Sequence, residues 1–137
     1  MHTNFSDGWP TPFDLVAHAR VTGLDVIAVT DHDTIEGALR ACDHAAGRSK
    51  LEVIVGEEVS SRNGHIVGLF LERRVRPGMS AAATVHAIHD QGGLAIAVHP
   101  FWRTHEPCWC LLRVELLSRA SASSPSHTSP TPSPAPA

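Results

Sequence analysis

Short apolar runs alternate with stretches of helical periodicity through most of this chain. Asp25–Thr30 (DVIAVT) is an almost wholly apolar run rich in β-branched residues, which predicts a strand buried on both faces. Leu51–Val55, closed by Gly56, predicts a second strand. Gly64–Leu71 (GHIVGLFL) predicts a third, separated from it by the turn-prone Ser60-Ser61-Arg62-Asn63-Gly64, and Leu94–Val98 (LAIAV) a fourth. Between these runs the spacing turns helical. Pro12–Thr22 places Phe13, Val16, Ala19 and Arg20 at helical intervals and stops at Gly23. Thr34 is the expected cap of a helix carrying Ile35, Ala38, Leu39 and Cys42 on one face as far as Gly47. Ser80 caps another through Gln91, with Ala81, Val85 and Ile88 inward, ended by Gly92-Gly93. Strands alternating with helices predict an α/β architecture with a mainly parallel sheet or barrel.

The pattern fades after Thr104. Residues 105–120 have apolar content without a clear period and are read as a short helix. Residues 121–137 contain only Ser, Pro, Ala, Thr and one His, with five of the ten prolines, and such a tail is expected to be disordered. The whole chain of 137 residues has room for one domain, and its 42% hydrophobic and 18% charged content is ordinary for a globular protein. A net charge of −3 gives no overall electrostatic footprint for nucleic acid or an anionic membrane. No run approaches membrane-spanning length and no basic leader opens the chain, so a cytoplasmic location and no membrane partner are expected. Three cysteines, with Cys108 and Cys110 in a C-W-C, fit a reducing compartment better than a disulfide scaffold.

Ten histidines change the picture more. His32 and His99 directly follow apolar runs, and Glu58 follows LEVIV after a glycine. In parallel α/β folds the carboxyl ends of strands gather function, so three ligand-type residues at three such ends point jointly to a metal. Any one of them alone would read as a hydrogen-bonded rim residue. Asp31 and Asp33 flank His32, and a carboxylate there either fixes the imidazole tautomer or caps the following helix. Alternation alone does not decide between Glu57 and Glu58. His2 and Asp7 lie on a loop (HTNFSDG) that also reads as an ordinary turn, and His65 begins a strand rather than ending one. Arg103, close behind His99-Pro100, is the candidate for meeting a substrate phosphate; a solvated rim charge is the alternative.

HTNFSDG, TDHDT, GEEVSS, GHIVGLF and AVHPF, in this order, closely resemble the PHP (polymerase and histidinol phosphatase) superfamily, over His2 to about Trp102. The match is nearest to stand-alone bacterial phosphoesterases of that family. The resemblance implies a partial distorted (β/α)₇ barrel over residues 1–104. It implies a rim site for two or three divalent ions (manganese, zinc or iron) held by His2, Asp7, His32, Glu58, His65 and His99. His32, Glu58 and His99 would be the catalytic residues, with phosphoesters of nucleotide or oligonucleotide type cleaved by a metal-activated water. The first histidine of the family's H-x-H-T falls before Met1, and the late family motifs have no counterpart after His99. The expectation is therefore a truncated chain. Its open barrel edges would favour self-association. The alternative reading is an inactive fragment or metal-binding accessory module.

Overall fold

The computed structural model describes residues 1–47 and 50–98. His99, Arg103, the short helix read at 105–120, the tail and the C-W-C all lie outside the described residues. The elements run α1 (Pro12–Val21), β1 (Val26–Val29), α2 (Glu36–Ala45), β2 (Glu52–Ser61), β3 (Gly64–Leu69), α3 (Ala81–His89) and β4 (Leu94–Ala97). They form an α/β fold around one four-stranded sheet of order β1-β2-β3-β4.

The sheet is mixed, which corrects the expectation of a mainly parallel one. β1 pairs with β2 in parallel, but β2–β3 and β3–β4 are antiparallel. The cause is local. Only Arg62 and Asn63 separate Ser61 from Gly64, and a connection this short allows only a hairpin. β2 is also longer than expected, running past Gly56 to Ser61, so Glu58 stands inside a strand instead of beyond its end. β3 stops at Leu69, because Phe70 turns into the left-handed region at φ 60°.

The helix starts explain themselves from sequence. Thr11 and Asp14 form a reciprocal capping box at α1, with Pro12 at its first position. Ser80 accepts from the Ala83 N–H at α3. α2 departs from expectation: its cap position is Ile35, and the Thr34 hydroxyl accepts from Glu36 N one residue later. Its buried stripe is Gly37, Ala38, Ala41 and Ala45, leaving Leu39 exposed. Phe13 is likewise exposed on α1, against the ring of His44.

All three helices pack on one face of the sheet. Ile27, Val29, Val53 and Val55 meet Val16, Ala19, Ala38 and Ala41 in one cluster, and Val59 and Ile66 meet Val85 and Ile88 in another. Val53, Val55 and Val59 share one face of β2 because side chains alternate along a strand. The opposite face carries Ala28, Ile54, Glu58, Val67 and Ile96 by the same registry. No helix among the described residues covers it, and Val26, Leu94 and Ile96 are 49%, 52% and 41% exposed. The expected burial of β1 on both faces is corrected accordingly. Among the described residues, its apolar run is matched by cover on one side only.

Candidate metal centre

The site lies at the end of the sheet where β1 and β2 finish, on the face that bears Glu58. His32 follows β1 and makes an isolated parallel bridge with Glu58, extending the β1–β2 pairing past the strand proper. His65, which from sequence starts its strand, belongs at the same end because β3 runs antiparallel. Its partner in the ladder is Ser60, two residues beyond Glu58 on the same face. The hairpin thus turns the weakest positional argument of the sequence into a converging side chain.

Glu58 is the centre of the arrangement. It is only 6% exposed, and each of its oxygens faces a different imidazole: Oε2 lies 3.0 Å from His2 Nε2 and Oε1 lies 3.1 Å from His65 Nδ1. The ring of His32 stands edge-on between the other two, with centroids 4.7 Å from His2 and 4.8 Å from His65. Ligand atoms of His2, His32 and Glu58 lie within 4.8 Å of one another. Asp7, the most exposed of the set, accepts from His2 Nδ1 at 2.6 Å and stands 3.7 Å from His32 Nε2. The hydrogen bond from His2 holds the Asp7 carboxyl below its ordinary range, with both neighbouring imidazoles adding to the effect.

This donor set fits a divalent cation. With its Nδ1–H on Asp7, neutral His2 presents the Nε2 lone pair directly to a carboxylate oxygen, so two acceptors face each other. A cation, or a second proton on His2, resolves that contact. Imidazole backed by carboxylate is the usual support of a metal-bound histidine, fixing its tautomer and raising its basicity. Asp7 is placed for that support as well as for direct ligation. Imidazole and carboxylate together suit zinc, manganese or iron.

Two further carboxylates hold the frame. Asp31 is fully buried and accepts from Thr3 N at 2.6 Å, Thr3 Oγ1 at 2.7 Å and Ser6 Oγ at 2.8 Å, so it ties the loop bearing His2 and Asp7 to the end of β1. The Met1 carbonyl accepting from Thr30 N at 2.8 Å adds to this anchoring. Asp33 sits at φ 54°, a left-handed conformation tolerated by aspartate, and accepts from Ser60 N at 2.7 Å. Neither acid contacts the His32 ring and neither caps α2, so both readings offered by the sequence give way to a bracing role. The sequence signal for it was only the D-H-D spacing.

Glu57, the rival of Glu58, points to the helix face and is fully buried there. Its Oε2 accepts from Val75 N at 2.7 Å, while Oε1 has no hydrogen-bond partner and Arg74 Nε stands 3.9 Å away. Burial pushes this carboxyl up to about 7, partly offset by the Val75 N–H and Arg74.

Gly37 shows how tightly the frame is built. A Cβ there would collide with Asp31 Oδ2 and lie 2.6 Å from Thr3 Oγ1. Gly37→Ala gains about 1 kcal/mol of helix propensity. The overlap with a buried, hydrogen-bonded carboxylate costs roughly 1–3 kcal/mol. The variant is expected to melt at lower temperature and to bind divalent metal more weakly. An unchanged melting temperature would remove Gly37 from this role.

Comparison with known proteins gives the family of the chain. The profile of the PHP domain matches residues 1–105. The chain belongs to the PHP domain family. This PHP chain is 37% identical over 97 residues to an uncharacterised protein of Methanocaldococcus jannaschii, covering 71% of the chain and 56% of that relative. It is 40% identical over 84 residues to a 5'-3' exoribonuclease of Haemophilus influenzae, covering 58% of the chain and 30% of the relative. Among solved structures it resembles a two-domain protein containing a predicted PHP-like metal-dependent phosphoesterase from Bacteroides vulgatus. That match has a TM-score of 0.61 and 26% identity, over 78% of this chain and 35% of the other. An amidohydrolase from Chromobacterium violaceum with bound sulfate and no metal shares the fold, with a TM-score of 0.60 and 19% identity over 89% and 72% of the two chains. The PHP chain therefore spans just over half the length of one relative and under a third of the other.

Proposed function

We propose that this chain carries the metal centre of a phosphoesterase that hydrolyses phosphate esters of nucleotide or oligonucleotide type. The observation that carries the reading is Glu58, a nearly buried carboxylate with an imidazole facing each oxygen and a third ring between them. His2, His32, Glu58 and His65 would hold manganese, zinc or iron, with Asp7 as ligand or as support of His2. Two or three ions and a ligand role for His99 follow the family pattern. A divalent cation held here supplies Lewis acidity toward a phosphoryl oxygen and toward the attacking water. The chain's own residues fix the geometry: Asp7 orients His2, Asp31 anchors the loop that carries both, and the β2–β3 hairpin sets His65 against Glu58. The exoribonuclease relative supports a nucleic-acid phosphodiester as the substrate class. The four strands are read as part of a (β/α)₇ barrel whose interior is the open apolar face, in a cytoplasmic protein.

Metal analysis of the purified chain, paired with hydrolysis of a chromogenic phosphate ester and of nucleoside phosphates, tests the proposal. Bound manganese or zinc is expected, with turnover lost in His32→Ala. Metal bound without turnover would favour a metal-binding module instead. A folded protein that binds no metal would sink both readings.

A further inference from the structure

The net charge of −3 averages over two very different surfaces. Residues 59–80 hold Arg62, Arg73, Arg74 and Arg76 against a single carboxylate, Glu72. All four arginines are exposed. Among the described residues, Arg62, Arg73 and Arg76 pair with no carboxylate, and Arg74 reaches only Glu57 at 3.9 Å. Exposed arginines concentrated without counter-charges repel one another, so an anion is the natural complement.

Hydrogen bonds bring Arg62 to the segment that carries the other three. The segment after β3 runs alongside β2: Val75 N donates to the Glu57 carboxylate, Gly78 N donates to Ser60 O at 2.8 Å, and Arg62 N donates to Met79 O at 2.8 Å. Arg62 Nε also donates to Gly78 O at 2.8 Å, which fixes the root of its guanidinium on the hairpin tip. Arg74 and Arg76 are two residues apart, about 7 Å of extended chain, and the chain then turns at Pro77-Gly78, with Gly78 at φ 75°, to meet Arg62. Arg62 lies two residues, again about 7 Å, beyond the Ser60–His65 rung that borders the metal centre. The Arg74–Arg76 step is of the same order as the spacing of successive phosphates on an extended nucleic-acid strand. A planar guanidinium suits each of them.

We infer that Arg62, Arg76 and Arg74 form a track for the phosphate backbone of a single-stranded oligonucleotide, leading from the hairpin lip of the metal centre down the outer face of the chain. The inference rests on the phosphoesterase reading and deepens it. A substrate longer than one nucleotide would be held by its flanking phosphates while one phosphodiester reaches Glu58 and its histidines.

The test is the binding of a fluorescein-labelled ten-nucleotide oligoadenylate to the full chain, followed by anisotropy in EDTA across a series of salt concentrations. Without metal, the measurement reads the arginines apart from the chemistry. Hydrolysis of a chromogenic ester by the unaltered chain with manganese reports separately on the phosphoesterase reading. Arg62→Gln with Arg76→Gln is expected to weaken binding about tenfold or more. The slope of log affinity against log salt should flatten by roughly 1.4, about 0.7 for each single-strand phosphate that is no longer neutralised. Arg76→Gln alone, which removes no hydrogen bond within the described residues, should give about half that flattening and an unchanged melting temperature. Arg62→Lys should recover most of the slope. No binding by the unaltered chain, or equal affinity and slope in the double variant, would overturn the track. So would an equal or larger loss of binding to phosphatidylserine vesicles, which would mark the patch as a general anionic-surface contact.

Discussion

Glu58→Gln is expected to lower the affinity for manganese or zinc by roughly 100-fold or more, the largest effect of any single substitution in this chain. Replacing even a residue that only supports a ligand commonly costs 10–100-fold. Glu58 contributes both the charge and the two oxygens around which the imidazoles are arranged. Glutamine keeps the shape but loses the charge, and it turns one oxygen into an NH₂ that donates where a ligand atom is needed. His2 and His65 face opposite ends of this carboxylate, so the loss reaches both sides of the cluster at once. Calorimetric titration of metal into unaltered and variant protein measures it, with circular dichroism confirming that both are folded. Glu57→Gln is the paired control. It changes the neighbouring residue in the same way but on the opposite face of β2, and metal affinity should hold. Equal affinity in the unaltered and Glu58→Gln proteins would remove Glu58 from the centre.

Glu57 dominates a second expected effect, on stability. Its carboxyl is raised from an ordinary 4.5 to about 7, chiefly by burial, so the native state keeps a proton that the unfolded chain has released. Between those two values the folded form binds more protons than the unfolded form, and stability therefore falls as pH rises. The penalty is absent below pH 4.5 and complete above pH 7, where it amounts to roughly 3 kcal/mol. Glu57→Gln resembles the protonated acid, keeping an acceptor for Val75 N while carrying no charge. The variant should match the unaltered protein near pH 4.5 and exceed it by about 2–3 kcal/mol at pH 8. Urea unfolding at both values in EDTA, with the difference taken between proteins, isolates this residue from the other carboxylates. An identical pH dependence in the two proteins would show that Glu57 is ionised at little cost.

Much of the candidate site was legible because its proposed ligands sit next to strong local signals. DVIAVT ends in a strand-to-loop transition that carries His32, and the cap of α3 is read directly from Ser80. His65 and Glu58 were harder, since their relation depends on strand direction. A two-residue turn at Arg62-Asn63 reverses the chain, and only that reversal brings the start of β3 to the end of β1. The roles of Asp31 and Asp33 were hidden for a similar reason. Their partners are Thr3, Ser6 and Ser60, each more than twenty residues away in sequence.

By itself, the sequence determined the alternation of elements, the helix stops, the family and the short set of histidines and acids proposed as metal ligands. These depend on periodicity, capping and ordered motifs, all of which are written within a few residues. Alternation alone left Glu57 and Glu58 open and the resemblance pointed to Glu58; tertiary structure shows Glu58 facing the histidines, since a one-residue step in a strand exchanges the two faces. It also decided that, among the described residues, helices cover β1 on one side only, and that Arg62 meets the segment carrying Arg74 and Arg76. Each of those outcomes rests on which distant segment lies alongside β2, and side-chain alternation converts that pairing into a buried carboxyl on one face and a proposed ligand on the other.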